Sequence, residues 1–235
     1  VLKNQSSFVI KPGSGYGGEG ILIIVDRQRE KFMAIDNKEY SLNDLVKHIN
    51  QLLDGQYSPG NFDVAIVEER ITANKRLEGL YHSGLPDGRI IIFQGFPIMA
   101  MARLPTKRSK GKANLHAGAV GAGIKLSTGK IVHAVFRGKS VETHPDTGRK
   151  IIGFQIPYWE QILETASLAG EASELGYAGV DIVISDKGPL VLEVNKRPGM
   201  EIQNANQEGL LRRLRFLESL KKSYPDNPRT RISVN

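Results

Sequence analysis

Short apolar runs separated by glycine-bearing turns alternate along this chain with two stretches whose apolar residues recur every three or four positions. Ser7 to Ile10 and Ile21 to Val25 are apolar and β-prone with a glycine-rich stretch between them, which predicts strand, loop, strand. After Ser41, Leu42, Leu45, Val46, Ile49 and Leu52 fall at helical spacing, and Asp44 stands three residues beyond Ser41. That pattern predicts a capped helix over about Leu42 to Leu53. Val64 to Val67, Arg89 to Phe93 and Phe96 to Leu104 read as strands, with a loop over Ala73 to Gly88. Ile131 to Phe136 and Lys150 to Phe154 read as a hairpin around Pro145-Asp146-Thr147-Gly148, and Trp159 to Leu175 as a helix. Val180 to Ser185 and Leu190 to Val194, joined by Asp186-Lys187-Gly188-Pro189, predict an antiparallel hairpin. Ala117 to Gly123 is a low-complexity stretch, and the last ten residues read as a loose tail.

The 235 residues are enough for one large domain or two small lobes with a substantial core. No apolar run approaches the roughly 20 residues that cross a bilayer, so no membrane segment is expected in this chain. Zero cysteines exclude a disulfide framework, a thiolate zinc site and a thiol nucleophile, which is compatible with a reducing cytoplasm. The net charge of +7 suits a nucleic acid, an anionic surface, or phosphate-bearing and acidic substrates. The cations are dispersed and not interleaved with aromatics, which argues against nucleic acid. Four of them, Lys107, Arg108, Lys110 and Lys112, lie in or just beyond Pro105 to Gly111. This reads as a basic, mobile loop and a funnel for an acidic acceptor such as a glutamate-rich peptide. The chain opens at Val1 rather than Met, as when an upstream segment has been removed or not included.

Chemistry concentrates in three places. Asp181 lies on the first strand of the late hairpin, while Glu193 and Asn195, two apart, project to one face of the second. Hard oxygen donors without His or Cys suit Mg²⁺, which takes its remaining ligands from waters and substrate phosphates. The bland reading is a solvated hairpin face. In FVIKPGSGYGGEGI (Phe8 to Ile21) a lysine at a strand end precedes five glycines within eight residues, a loop able to drape amides over phosphates. It is neither a Walker sequence nor a dinucleotide fingerprint. AIVEERI (Ala65 to Ile71) is an apolar strand ending in two acids, whose edge amide and carbonyl could pair with an adenine ring.

Taken with GVDIVISDKGPLVLEVNKRPG (Gly179 to Gly199), these segments resemble the ATP-grasp superfamily in order and approximate spacing. DGR at Asp87 to Arg89, KANLHAG at Lys112 to Gly118, and EVN followed by PG are similar to the alpha-L-glutamate ligase-like proteins of the ribosomal-protein-S6 type. The resemblance implies an α+β fold in which two lobes grip ATP, with residues 1–66 as the small lobe, 67–225 as the large lobe and 226–235 as a tail. The family's amino-terminal lobe has no counterpart here. It also implies a cytoplasmic carbon-nitrogen ligase that uses ATP and Mg²⁺, with Mn²⁺ as a substitute, to join a carboxylate substrate to an amine acceptor through an acylphosphate. Lys11, Gly17, Gly18 and Lys112 would contact the phosphates, Glu69 and Arg70 the adenine, and Asp87 the ribose. Asp181, Glu193 and Asn195 would hold the metal. Arg89, Arg103 and Asn114 would stabilise the anionic transition state. Lys112 departs from the family's arginine and loses its bidentate fork. A catalytically inactive nucleotide-binding regulatory module is the alternative.

Overall fold

The computed structural model describes residues 5–14, 18–58, 62–220 and 227–232. The chain forms two compact units, Val1–Ile71 and Thr72–Asn235. In the first, β1 (Phe8–Pro12), β2 (Leu22–Gln28), β3 (Lys31–Ala34), β4 (Glu39–Tyr40) and β5 (Ala65–Glu69) make an antiparallel sheet in the order β4-β3-β2-β1-β5. Helix α1 (Leu42–Leu53) begins with a capping box in which Ser41 Oγ accepts from the Asp44 amide and the Asp44 side chain accepts from the Ser41 amide. Such a cap contributes about 1 kcal/mol. Phe8 and Ile10 alternate inward along β1 and join Leu22, Ile24, Phe32, Leu45 and Leu52 in a core, so period two sends Val9 and Lys11 to the other face. Strands β3 and β4 carry no apolar run long enough to announce them, and pairing with β2 makes them strands.

The second unit is built on β6 (Asp87–Phe93), β7 (Phe96–Leu104), β8 (Val120–Lys125), β9 (Lys130–Phe136), β10 (Lys139–Ser140), β11 (Tyr177–Ser185) and β12 (Gly188–Asn195). Their order is β10-β9-β8-β7-β6-β11-β12. Strand β7 is central and apolar throughout because both faces are covered. Helix α2 (Trp159–Ala172) packs Ile162, Leu163 and Ala166 against Ile90, Ala102, Val180 and Ile182 on one face. On the other face, α3 (Glu201–Asn206) and α4 (Leu211–Ser219) pack Ile202, Ala205 and Leu217 against Ile91, Met99 and Met101.

Four expectations change. The last four residues of the low-complexity stretch open strand β8, and its glycines admit close neighbours: a Cβ on Gly123 would meet the Ala205 carbonyl and lie 2.8 Å from Asn206 Cα. Backbone cannot move aside as a side-chain tip can, so Gly123→Ala is expected to cost about 1–3 kcal/mol by overpacking. Gly176→Ala, with nothing within 4 Å of its added carbon, serves as the neutral control in urea unfolding. The expected 131–154 hairpin has its turn, with the Gly148 amide donating to the His144 carbonyl at 2.9 Å, but the strand partners of β9 are β8 and β10. Residues 150–154 reach β9 through single bonds such as Ile131 N to Phe154 O, 3.0 Å. Within the expected tail, α5 (Pro228–Ile232) lies on α2, with Arg229 bonded to Glu164 and Arg231 to Glu171.

The basic loop after β7 is anchored rather than mobile. Thr106 and Ser109 are 1% and 2% exposed and interlock: the Thr106 amide donates to Ser109 Oγ at 2.9 Å, and the Ser109 amide to Thr106 Oγ1 at 3.1 Å. Thr106 Oγ1 donates to the Gly118 carbonyl at 2.7 Å, and the Lys107 amide to Asp146 at 2.7 Å. His144 Nε2 donates to the Pro105 carbonyl at 3.1 Å while its Nδ1 accepts from the Asp146 amide at 3.3 Å. That pair of bonds requires the neutral ring, in keeping with burial pushing the His144 pKa below its ordinary value.

Candidate functional site

Strand register assembles the site. Antiparallel pairing sets Arg89 of β6 opposite Asp181 of β11, Asp181 opposite Glu193 of β12, and Asp87 of β6 opposite Arg103 of β7. Residues directly opposite share a face, and Asp87 with Arg89, like Glu193 with Asn195, are two apart on one strand. Six polar side chains from four strands therefore stand on one face, while Ile90, Ala102, Val180 and Ile182 point into the core on the other. A register shift between Asp181 and Ile182 moves the pairing from Glu193 to Val191 and leaves Leu192 as the extra residue of a bulge. Bulges of this kind re-aim the adjoining side chain.

The contacts alternate in charge. Arg89 donates through Nε to Asp181 Oδ1 at 2.7 Å and through Nη2 to Oδ2 at 2.6 Å. Arg103 makes the same fork on Asp87, both bonds 2.5 Å, and its Nη2 also reaches Asp181 Oδ2 at 2.8 Å. Asn195 Nδ2 bridges Asp181 Oδ2 at 3.3 Å and Glu193 Oε1 at 3.0 Å. Asp181 is buried, with 1% of its side chain exposed, and the Arg89 and Arg103 side chains are 13% and 12% exposed, whereas Glu193 faces solvent. Planar forks in a poorly hydrated place fix both arginines in orientation as well as charge.

Burial sets the titration of the two inner carboxyls against their partners. For Asp87, desolvation outweighs the Arg103 charge and pushes the pKa up to about 6. For Asp181, desolvation is again the largest influence, but the bonds from Arg89 and the charges of Arg103 and Arg89 together overcome it and hold the carboxyl below its ordinary value. Asp181 is thus the ionised hub. Two guanidinium groups against the three carboxylates Asp87, Asp181 and Glu193 leave one excess negative charge. It lies toward Glu193, the carboxylate farthest from either arginine in the bonding pattern.

That donor set suits a hard divalent cation with few protein ligands: the Asp181 and Glu193 carboxylates converge on the Asn195 side-chain amide, whose Nδ2 faces them here and whose Oδ1 would take that place after a half-turn of the amide, with net negative charge at the solvent edge. Among the described residues, no group of three or more His, Cys, Asp or Glu side chains is placed to hold a metal ion. Any such cation would therefore depend on the Asn195 amide and on substrate oxygens.

The other expected site residues lie elsewhere. Lys112 and Asn114 belong to the anchored loop between β7 and β8. Asn114 Oδ1 accepts from the His116 and Ala117 amides at 2.9 and 3.3 Å, leaving Nδ2 as the group able to donate to a ligand. In the first unit, Lys11 pairs with Glu68 at 2.6 Å, a partner that sequence reasoning did not mark. The cross-strand register of β1 and β5 sets Lys11 opposite Ile66 and Val9 opposite Glu68, so the ion pair is diagonal. Glu69 ends β5 and Arg70 follows it; among the described residues β5 is an edge strand of its sheet. Gly18 has φ +75°, and Gly17 lies outside the described residues. Thr106, Ser109 and His144, which hold the loop, were also missed; the Thr-x-x-Ser spacing was the available signal.

Comparison with known proteins gives a family match along nearly the whole chain: the family model described as sugar-transfer associated ATP-grasp matches residues 1–219. Shorter stretches are similar to probable alpha-L-glutamate ligases. One from Marinobacter nauticus is 55% identical over 42 residues, 17% of this chain and 14% of that protein. One from Saccharophagus degradans is 42% identical over 69 residues, 28% of this chain and 22% of that protein. Among solved structures, the ATP-grasp ligase PsnB, complexed with a phosphomimetic variant of minimal precursor, Mg and ADP, is similar at 13% identity and TM-score 0.43. The match covers 94% of this chain and 46% of that one. The D-alanine--D-alanine ligase from Bacillus anthracis is similar at 16% identity and TM-score 0.43, covering 96% of this chain and 53% of that one. The chain therefore spans about half the length of these solved structures, and its matches span less than a quarter of the curated relatives. No helix of the described residues is long and apolar enough to cross a membrane.

Proposed function

Because this chain belongs to the sugar-transfer associated ATP-grasp family, we propose that it is an ATP-dependent carboxylate-amine ligase. A carboxylate oxygen attacks the γ-phosphorus of ATP, ADP departs, and the amine nitrogen then attacks the acyl carbon, releasing phosphate and a proton as the amide forms. The observation that carries this reading is the bonded array of Arg89, Arg103, Asp181, Glu193 and Asn195 on one sheet face.

Asp181, Glu193 and Asn195 would hold Mg²⁺, which would offset charge developing on the phosphoryl group in transfer. Arg103 and Arg89, fixed by their carboxylate forks, present donors that need no reorientation as negative charge grows on the acylphosphate. Asp87 reads better as the residue that orients Arg103 than as a ribose contact, because both its oxygens accept from that guanidinium. Lys11, Gly17, Gly18 and Lys112 are assigned to the phosphates, the edge of β5 at Glu69 and Arg70 to the adenine, and Asn114 Nδ2 to a phosphoryl oxygen. The short glutamate-ligase matches support an amino acid such as glutamate as the group added to a peptide or amine acceptor, and a reaction that consumes ATP suits the cytoplasm.

Calorimetric titration of ATP into the chain, with and without Mg²⁺, tests the reading. Binding that requires Mg²⁺ is the expected result. Absence of nucleotide binding under both conditions would overturn it.

A further inference from the structure

Away from the bonded array on the sheet, a buried histidine grips the loop that carries Lys112 and Asn114. His144, 1% exposed, donates through Nε2 to the Pro105 carbonyl at 3.1 Å, and the His82 amide donates to the same oxygen at 3.0 Å. Three stretches distant in sequence thus meet at one carbonyl. The turn that carries His144 is tied back to the first of them, with Thr147 Oγ1 donating to the Gly79 carbonyl at 2.5 Å and Arg149 to the Glu78 carbonyl. Asp146 accepts from the Lys107 amide at 2.7 Å, so the turn holds the loop at two points. These bonds close no strand and no helix, because β7 ends at Leu104 and β8 begins at Val120. What they fix is the loop itself. The constraint passes along it: the Lys110 amide donates to the Lys107 carbonyl at 3.2 Å and the Lys112 amide to the Ser109 carbonyl at 3.0 Å. Thr106 Oγ1 closes its base on the Gly118 carbonyl at 2.7 Å. Asn114 Oδ1 is committed to the His116 and Ala117 amides, which fixes the direction of Nδ2. Groups held in this way lose little entropy when a ligand binds, and a displaced support loosens the contact it carries.

We propose that His144 is a positioning residue for nucleotide binding: through the Pro105 carbonyl, and with Asp146 on the Lys107 amide, it holds the loop so that Lys112 and Asn114 are preset for the ATP phosphates. This rests on the ligase reading above, which assigns those two side chains to phosphate. His144 itself touches no nucleotide in this role. The competing account is that the turn only stabilises the fold, and the two differ in what a substitution does to affinity once the protein is folded.

The test is calorimetric titration of ATP with Mg²⁺ into the whole chain and its variants, with the melting point of each measured alongside. A glutamine amide nitrogen reaches where Nε2 stands, and an asparagine oxygen only where Nδ1 stands. The two substitutions therefore separate the bond to the loop from the bond within the turn. His144→Gln should bind within about twofold of wild type, and His144→Asn about tenfold more weakly. Asp146→Ala, which frees the Lys107 amide from a partly exposed position, should weaken binding about threefold and decides the matter if His144→Asn does not fold. Ser167→Ala removes a buried bond from α2 to the Gly95 carbonyl and should lower the melting point without changing affinity. Wild-type affinity in His144→Asn or in Asp146→Ala would overturn the positioning role. So would equal weakening by His144→Gln and His144→Asn, or a loss of affinity in Ser167→Ala as large as that in His144→Asn. Absence of ATP binding by wild type would overturn the ligase reading and this role with it, whereas binding by wild type that the loop variants keep overturns this role alone.

Discussion

Glu193→Gln is expected to lower magnesium-dependent ATP turnover by on the order of a hundredfold or more, with the thermal unfolding midpoint unchanged. The substitution preserves volume and keeps an oxygen that can accept from Asn195 Nδ2 at the 3.0 Å contact seen here. It removes one charge from the one carboxylate of the array that faces solvent on edge strand β12. No buried ion pair is broken, so the fold has no reason to weaken. The loss falls on cation binding, because the array then carries two guanidinium groups against two carboxylates and has no net charge to offer. Phosphate release and melting, measured on the same preparation, check the result. Wild-type turnover in the variant would remove Glu193 from the proposed metal ligands.

Asp87→Ala should act in the opposite way, chiefly on stability. Its carboxylate receives both bonds of the Arg103 fork, and both side chains are almost wholly shielded from water. Removing it leaves a buried guanidinium that must share Asp181 with Arg89, and breaking a buried pair in this way costs about 3–5 kcal/mol. The double variant Asp87→Ala/Arg103→Met should recover much of that loss, since an apolar side chain needs no counter-ion there. Urea unfolding of the two single variants and the double closes the cycle. A loss under about 1 kcal/mol for Asp87→Ala, the size of an exposed pair, would mean that water reaches Arg103.

Several elements were legible in the sequence because their signals are local. The helix from Leu42 to Leu53 announced itself through apolar spacing and the Ser41–Asp44 capping box, both of which depend on residues within a few positions. The hairpin carrying Asp181 and Glu193 was readable from two apolar runs and a turn, although the structure tightens that turn so that Gly188 already pairs with Ser185. The helix beginning at Trp159 was legible from its apolar spacing, and the Trp159 ring nitrogen donates to the Leu126 carbonyl at 2.7 Å in the core. Strand β8 was not legible, because Gly121 and Gly123 have no intrinsic β preference. They are there to let Leu115 and α3 approach the sheet.

The sequence by itself determined the elements with local signals, such as α1 and the hairpin of β11 and β12, together with the α+β character and the residue types of the site, and its motifs pointed to the ATP-grasp superfamily. Tertiary structure alone decided that Arg89 binds Asp181 across 92 positions and that Arg103 joins Asp87 to the same hub. Which residues face one another depends on strand order and register, and register is set by bulges, turns and the covering of both sheet faces rather than by any short stretch of chain. The loop after β7 makes the same point: its four cations suggest mobility when read along the chain, but buried bonds from Thr106, Ser109 and His144 hold it in place.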